Sequence, residues 1–496
     1  MDIQRSTETR KLAKQGLAGS HGSHELESSY SEAVELRNEL EQSNEKLFET
    51  TIVVGVAGKA VEDLQENVAR VRRSCAKHSC DLEVLKYMQK DALNALLPLG
   101  RCDLPIHRTL TTAALAVLEP FTTQELFDLS GMFYGVNALS KNLIMLSRSE
   151  GMNANAFILG TSGSGKSQFA KFEMMQTFLR RVNDEILIID PEREYVSLSS
   201  ALKASRVVIS PGSKSALNAL EVDKNINLDE DPIRAKCSFV LSICQVLLGG
   251  AEGLSNVERS IIDRCAQNVY RIYFNTDNAD MPTLMSLYQE LKKQPEIEAG
   301  QLATGLEIYA KGSAAGFAAQ TNVDLSARVV VYDLADLGRD LQTFGMMVVL
   351  ENVWARICAN KARGVRTWLY IDEFHLLFEN DFAAAYCQAI YKRVRKYGAA
   401  ATGITQNIEE LLLNDRARLM LSNSDSVFLL NQQSTDAQAL QDLLRLSAQQ
   451  KSFFTNASPG CGLLKSGSTV IPFDNSMDVE SSIFQLFQTT FEVKEG

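Results

Sequence analysis

Apolar residues along this chain fall into two rhythms. One is the short unbroken run that marks a strand buried on both faces. Such runs stand at 156–159, 186–189, 206–209, 329–332, 367–371, 400–405 and 426–430. The other is spacing by three and four, the mark of a helix with one apolar face. It appears at Ala235–Leu248, Asn256–Phe274, Thr283–Lys292 and Gln301–Lys311, and again at Ala437–Leu446. Runs and helical stretches alternate from Asn153 onward, which predicts a mainly parallel sheet covered by helices on both faces. Residues 225–325 break the alternation and predict an inserted all-α subdomain within an α/β core spanning 151–224 and 326–496. Near the end, Gly462–Leu464 and Thr469–Pro472 predict a hairpin turning through Lys465-Ser466-Gly467.

The N-terminal part reads differently. Residues 1–24 are polar, with Gly, Ser and His, and predict either disorder or the edge of a fragment. Residues 25–48 carry helical spacing (Leu26, Tyr30, Val34, Leu36, Leu40, Leu47). Thr51–Val56 and Leu82–Tyr87 predict strands; Ala60–Lys77 and a segment ending near Pro98-Leu99-Gly100 predict helices. Residues 25–100 therefore read as a small, partial α+β domain, and 101–150 as a connector into the core.

Composition narrows the class only modestly. The 496 residues are 45% hydrophobic and 22% charged, ordinary for a globular protein. A net charge of −11 argues against a nucleic-acid-coated surface, though not against a local basic channel. The longest apolar candidate outside the core, Ala113–Leu118, is too short to span a bilayer, and the N-terminus has no signal-peptide run. Membrane association is therefore expected through partners. Nine scattered cysteines form no CxxC pair and read as reduced, mostly buried thiols. Cys75, His78, Cys80, Cys102 and His107 cluster in sequence without the spacing of a common zinc module.

The candidate chemistry begins at Gly160-Thr161-Ser162-Gly163-Ser164-Gly165-Lys166-Ser167. This is a phosphate-binding loop placed between a strand and a helix running from Lys166 to Arg181. Its glycines let successive N–H groups turn inward around a phosphate. Lys166 is expected to reach the outer phosphates and Ser167 to ligate Mg²⁺, with Gln168 continuing the nucleotide-binding segment. The strand Trp368–Ile371 ends in Asp372-Glu373. Asp372 suits water-mediated Mg²⁺ binding, and Glu373 suits polarising the attacking water. The strand at 329–332 falls between the two motifs in sequence, which favours a RecA-like core.

Three further elements each leave two readings open. Gln406, in Thr402-Gly403-Ile404-Thr405-Gln406-Asn407, suits a γ-phosphate sensor; Thr405 or Asn407 there equally suits a helix cap. Arg395, ahead of Arg393, suits an arginine finger, and equally a basic helix end. Asp190, before Pro191, suits either water or metal organisation or the start of an ordinary turn.

Together these stretches resemble the conjugal-transfer ATPases of type IV secretion systems, the TraC/TrbE/CagE-like group of the HerA–FtsK class. The carriers are Asn142–Met145, Phe157–Gly160 with the loop, Ile189–Tyr195, Tyr370–Leu377, Arg395–Gly398 and Thr402–Asn407. The tail from Leu446 through Gly460–Leu463 to Ile471-Pro472-Phe473 also fits, so the resemblance spans about 95–490. It implies a RecA-like motor with an α-helical insertion that hydrolyses ATP with Mg²⁺ to power channel or pilus assembly and substrate export. It also implies a homo-oligomer, often a hexamer, at the cytoplasmic face of the cell membrane. Partners there would be inner-membrane channel components and a coupling protein, with DNA as a possible further contact. By position, Lys166 and Ser167 match the loop residues, Asp372 and Glu373 the metal-site and catalytic pair, Gln406 the sensor and Arg395 the motif arginine. Two rival readings share the site chemistry: a HerA/FtsK-like DNA translocase, and a nucleotide-gated assembly scaffold with little turnover. The chain departs from the family in having only residues 1–150 before the motor, and in reading Asp474-Asn475-Ser476-Met477 near its end.

Overall fold

The computed structural model describes residues 46–488 except 78–79, 98, 118–122, 152, 211–212, 214, 224–230, 251, 278 and 313. The expectations for residues 1–24, for nearly all of the 25–48 helix and for His78 lie outside the described residues. The chain divides into two compact units between Thr122 and Thr123.

In the first unit, β1 (Leu47–Thr50) precedes α1 (Val61–Lys77) and α2 (Gln89–Leu96). Then come β2 (Arg108–Thr111), antiparallel to β1, and the short α3 (Thr112–Ala116). The strands expected at 51–56 and 82–87 are irregular. Strand-like composition needs a neighbouring edge to pair with, and β2 pairs instead with the residues just before Thr51.

The second unit opens with β3 (Met132–Asn137) and β4 (Leu143–Leu146), an antiparallel pair inside the stretch read as a connector. The phosphate-loop strand β5 (Ala156–Leu159), α4 (Lys166–Arg180), β6 (Glu185–Asp190), α5 (Val196–Ala201) and β7 (Ser205–Val208) follow. The helical insertion comprises α6 (Pro232–Leu248), α7 (Asn256–Asn275), α8 (Leu284–Lys292) and α9 (Ile297–Ala310). Local signals start two of these helices: Asp231 caps α6 with Pro232 at its first position, and Ser255 and Glu258 form a reciprocal capping box on α7. The chain returns through β8 (Val329–Asp333), α10 (Arg339–Arg363), β9 (Thr367–Ile371), α11 (Asp381–Arg393) and β10 (Ala399–Thr405). It finishes with α12 (Ile408–Leu413), α13 (Asp415–Ser422), β11 (Ser426–Leu429), α14 (Ser434–Leu444) and α15 (Ala448–Ser452), then the hairpin β12 (Cys461–Ser466) and β13 (Thr469–Asp474), and α16 (Ser482–Phe487).

β3 to β13 form one 11-stranded sheet in the order β4-β3-β13-β12-β11-β5-β10-β9-β6-β8-β7. From β11 to β7 every pairing is parallel; from β11 to β4 every pairing is antiparallel. Each central strand is buried on both faces, which explains its unbroken apolar run. In β5, Phe157 and Leu159 enter the core shared with the insertion and α10, while Ala156 and Ile158 enter the core under α4. The strand between β5 and β9 in space is β10, not β8, which lies beyond β6. One strand thus separates the phosphate-loop strand from the acidic strand, as in a RecA-like core. No described helix is long and apolar enough to cross a membrane.

Candidate active site

The parallel strands present their C-terminal ends along one edge, where loops are free to converge. The phosphate loop leaves β5 there, and its neighbours brace it. Thr161 donates its amide and hydroxyl to the Asn431 carbonyl (2.9 and 3.1 Å), and Gly160 donates to the Thr405 carbonyl (3.3 Å). Gly163 and Gly165 take φ of 76° and 90°, which side-chain-bearing residues rarely adopt. A Cβ on Gly165 would also stand 3.0 Å from the Gly460 amide, which donates to the Ser164 carbonyl. Lys166 opens α4 and is buried. The Ser164 hydroxyl is buried against Gly160 without a hydrogen-bond partner.

A cleft of about 460 Å³ lies over this loop. Thr161, Ser162, Gly163, Gly165, Lys166, Ser167 and Gln168 line it, joined by Gln406 from the end of β10 and Glu194 from the turn after β6. Its far wall is built by Pro459 and Gly460 and by the tail residues Asn475, Met477, Val479 and Phe484. Nothing in the chemistry of those tail residues marks them in the sequence.

Asp372 ends β9 and is buried. Its Oδ1 accepts the Glu373 amide (2.9 Å) and its Oδ2 accepts the Tyr195 hydroxyl (3.0 Å). Burial pushes its carboxyl up to about 7, opposed by the charge of Lys166 and reinforced by Glu194 and Glu373. Glu373 follows in a left-handed conformation, φ 42°. Its Oε2 lies 3.1 Å from His375 Nδ1.

Asp190 serves a turn: its two oxygens accept the amides of Glu194 (2.9 Å) and Tyr195 (3.1 Å), and burial pushes it up to about 6. The turn places Glu194, whose Oε2 is buried without a hydrogen-bond partner, on the cleft wall. Thr405 accepts the Asn407 amide (3.2 Å), so the local turn and the placement of Gln406 in the cleft coexist. Arg395 is exposed in the turn before β10. The 7 residues of β10, about 20 Å of extended chain, separate it from the Gln406 edge, too far to serve the cleft of its own chain.

Of the cysteines, Cys237, Cys244, Cys265, Cys358 and Cys387 are buried, while Cys80 and Cys102 are exposed. Among the described residues, Cys75, Cys80, Cys102 and His107 form no group with metal-ligand spacing.

With this geometry in hand, the relatives are informative. The TraG P-loop domain matches residues 141–458, more than half of the chain. The chain belongs to the TraG P-loop domain family. Its fold is similar to that of VirB4 of Thermoanaerobacter pseudethanolicus, with a TM-score of 0.64 at 24% identity. That alignment covers 72% of this chain and 98% of the other. The plasmid coupling protein TrwB in complex with the GTP analogue GDPNP aligns at a TM-score of 0.45 and 13% identity, over 75% of this chain and 94% of the other. Among curated proteins none matches the sequence. The match to the TraG P-loop domain begins at Lys141, so it takes in β4 as well as the strands of the phosphate loop.

Proposed function

We propose that this chain is an ATP-hydrolysing motor that energises a type IV secretion or conjugative transfer apparatus. One observation carries the reading: the phosphate loop, Gln406 and Asp372-Glu373 lie at the C-terminal ends of β5, β10 and β9, neighbours in that order in the sheet, with the loop and Gln406 lining one cleft. A lone phosphate loop would bind nucleotide; a carboxylate pair one strand away adds the means to hydrolyse it.

The residues present fit a metal–nucleotide pair, given the open glycine cradle and the buried Asp372 carboxylate near Lys166. Ser167, and Asp372 through water, would hold Mg²⁺, which supplies charge neutralisation on the phosphate oxygens. Loop amides and Lys166 bind and orient the phosphates. Tyr195 and the Glu373 amide fix the Asp372 carboxylate. Glu373 polarises the attacking water, and Gln406 contacts the terminal phosphate. Arg395 would complete the site of a neighbouring subunit, which makes a ring, and a hexamer in particular, the expected assembly. Docking to inner-membrane channel components would place the motor on the cytoplasmic face of the membrane.

Glu373→Gln tests the assignment. It should retain ATP binding while turnover falls by about 10²-fold or more, as expected on losing a positioned catalytic group. Unchanged turnover would sink the reading. Negligible wild-type turnover at every protein concentration, with ATP still bound, would point to a nucleotide-gated scaffold instead.

A further inference from the structure

Glu373 is held in a left-handed conformation, φ 42°, that L-residues rarely adopt. Its amide is tied to Asp372, and its carbonyl accepts the Leu376 amide at 3.0 Å. The backbone therefore fixes where the side chain leaves the chain, and its own torsions decide where the carboxylate points. Its carboxylate is buried, and a buried carboxylate needs donors. Among the described residues Oε2 makes no well-aligned hydrogen bond, and His375 Nδ1 stands 3.1 Å from it.

The same Nδ1 lies 3.0 Å from Thr405 Oγ1 at the end of β10. Thr405 is joined to the phosphate loop through its carbonyl, which accepts the Gly160 amide, and it directly precedes Gln406 on the cleft wall. One ring nitrogen thus faces two oxygens, and it can serve only one of them at a time. The imidazole is largely buried, and its other nitrogen stands 3.9 Å from the exposed Glu410.

We propose that His375 is a positioning residue for Glu373: the carboxylate and Thr405 compete for its Nδ1, so that displacement of Thr405 and Gln406 by a bound terminal phosphate shifts that contact and redirects Glu373 toward the water it activates. This rests on the reading of Glu373 as the catalytic base. The imidazole transfers no proton in this role; it sets where the carboxylate points.

The test is steady-state ATPase kinetics of the full chain with His375→Ala, His375→Asn and His375→Gln, beside binding of a fluorescent ATP analogue. An asparagine amide reaches the place of Nδ1, whereas a glutamine amide reaches the place of Nε2. His375→Ala should lower kcat about tenfold or more, since a misdirected group loses rate steeply, while KM and analogue affinity stay within about twofold. His375→Asn should recover most of the rate and His375→Gln little of it. In a Glu373→Gln background, His375→Ala should change nothing further. Wild-type kcat in His375→Ala, or rescue by Gln equal to rescue by Asn, would overturn the proposal. Thr405→Val, which removes the hydroxyl and keeps the shape, gives an independent arm if His375→Ala does not fold: it too should lower kcat with KM unchanged, and a wild-type kcat there would also overturn it. If Glu373→Gln itself turns over normally, the reading of the base fails; if only the His375 and Thr405 variants do, the positioning role alone fails.

Discussion

Replacing Arg148 with methionine should cost more stability than any surface change on this chain. Arg148 follows β4 and is completely buried. Its Nη1 donates to both oxygens of Glu173 on α4 (2.7 and 2.9 Å). Its Nη2 donates to the Ala154 carbonyl (2.7 Å) and to Thr402 Oγ1 on β10 (2.9 Å). The Tyr134 hydroxyl donates to the same Glu173 carboxylate. Methionine keeps much of the stem volume but strands Glu173 as a buried charge without its counter-ion. Breaking a buried pair in this way costs about 3–5 kcal/mol. Glu173→Gln strands Arg148 in the mirror sense, at a comparable cost. The double variant removes both charges and leaves an amide oxygen for Tyr134, so its loss should fall short of the summed single losses by about 2 kcal/mol or more. Equilibrium urea unfolding of the wild type, both single variants and the double variant at neutral pH measures all four terms. Single losses below about 1 kcal/mol, or a strictly additive double variant, would refute the reasoning.

Gly165→Ala, at φ 90° and 3.0 Å from the Gly460 amide, should weaken ATP binding by about tenfold or more, as read by titration calorimetry; unchanged affinity would mean the loop is not the phosphate cradle. Arg395→Ala should bind ATP normally yet lose turnover on the order of 10³-fold, and mixing it with Lys166→Ala subunits should restore activity above either alone; no gain on mixing would argue against a shared site. Thiol labelling of the native chain at pH 8, read by mass spectrometry, should mark Cys80 and Cys102 quickly. Cys237, Cys244, Cys265, Cys358 and Cys387 should lag, because burial pushes all five thiols up; a buried cysteine reacting as fast as Cys102 would contradict the packing.

Much of this architecture is legible in the sequence because doubly buried parallel strands leave unbroken apolar runs, as in Ile186–Ile189 and Trp368–Ile371. The helical insertion is equally plain, since its stripes repeat over long segments. The β3–β4 hairpin is not. Its strands are short, Gly135 interrupts one at a register shift, and the other begins at the exposed Leu143, so neither carries a clean period. Spatial order is hidden as well: β8 precedes β9 in the chain, yet β10, which comes later, stands between β5 and β9. At the site, the phosphate loop and Asp372-Glu373 announce themselves through residue type and spacing. Glu194 does not, because only the turn fixed by Asp190 aims it at the cleft. His375 and Gly460 enter only inside stretches that carry the family resemblance, and what each does depends on what it touches, which no spacing shows.

The bracing of the phosphate loop bears on how the protein is born. β5 emerges early in synthesis, but both of its sheet neighbours, β10 and β11, come from the far end of the chain. Thr161 hydrogen-bonds to Asn431 across 270 positions. Closing so large a span is entropically slow, and until it closes β5 has two bare edges of apolar strand. Until then the phosphate loop lacks the hydrogen bonds that brace it. The helices of the insertion pack largely on one another, although the first also meets α10 and α11, so they can begin to form well before that. The phosphate loop is thus braced last, once nearly the whole domain has been made and folded.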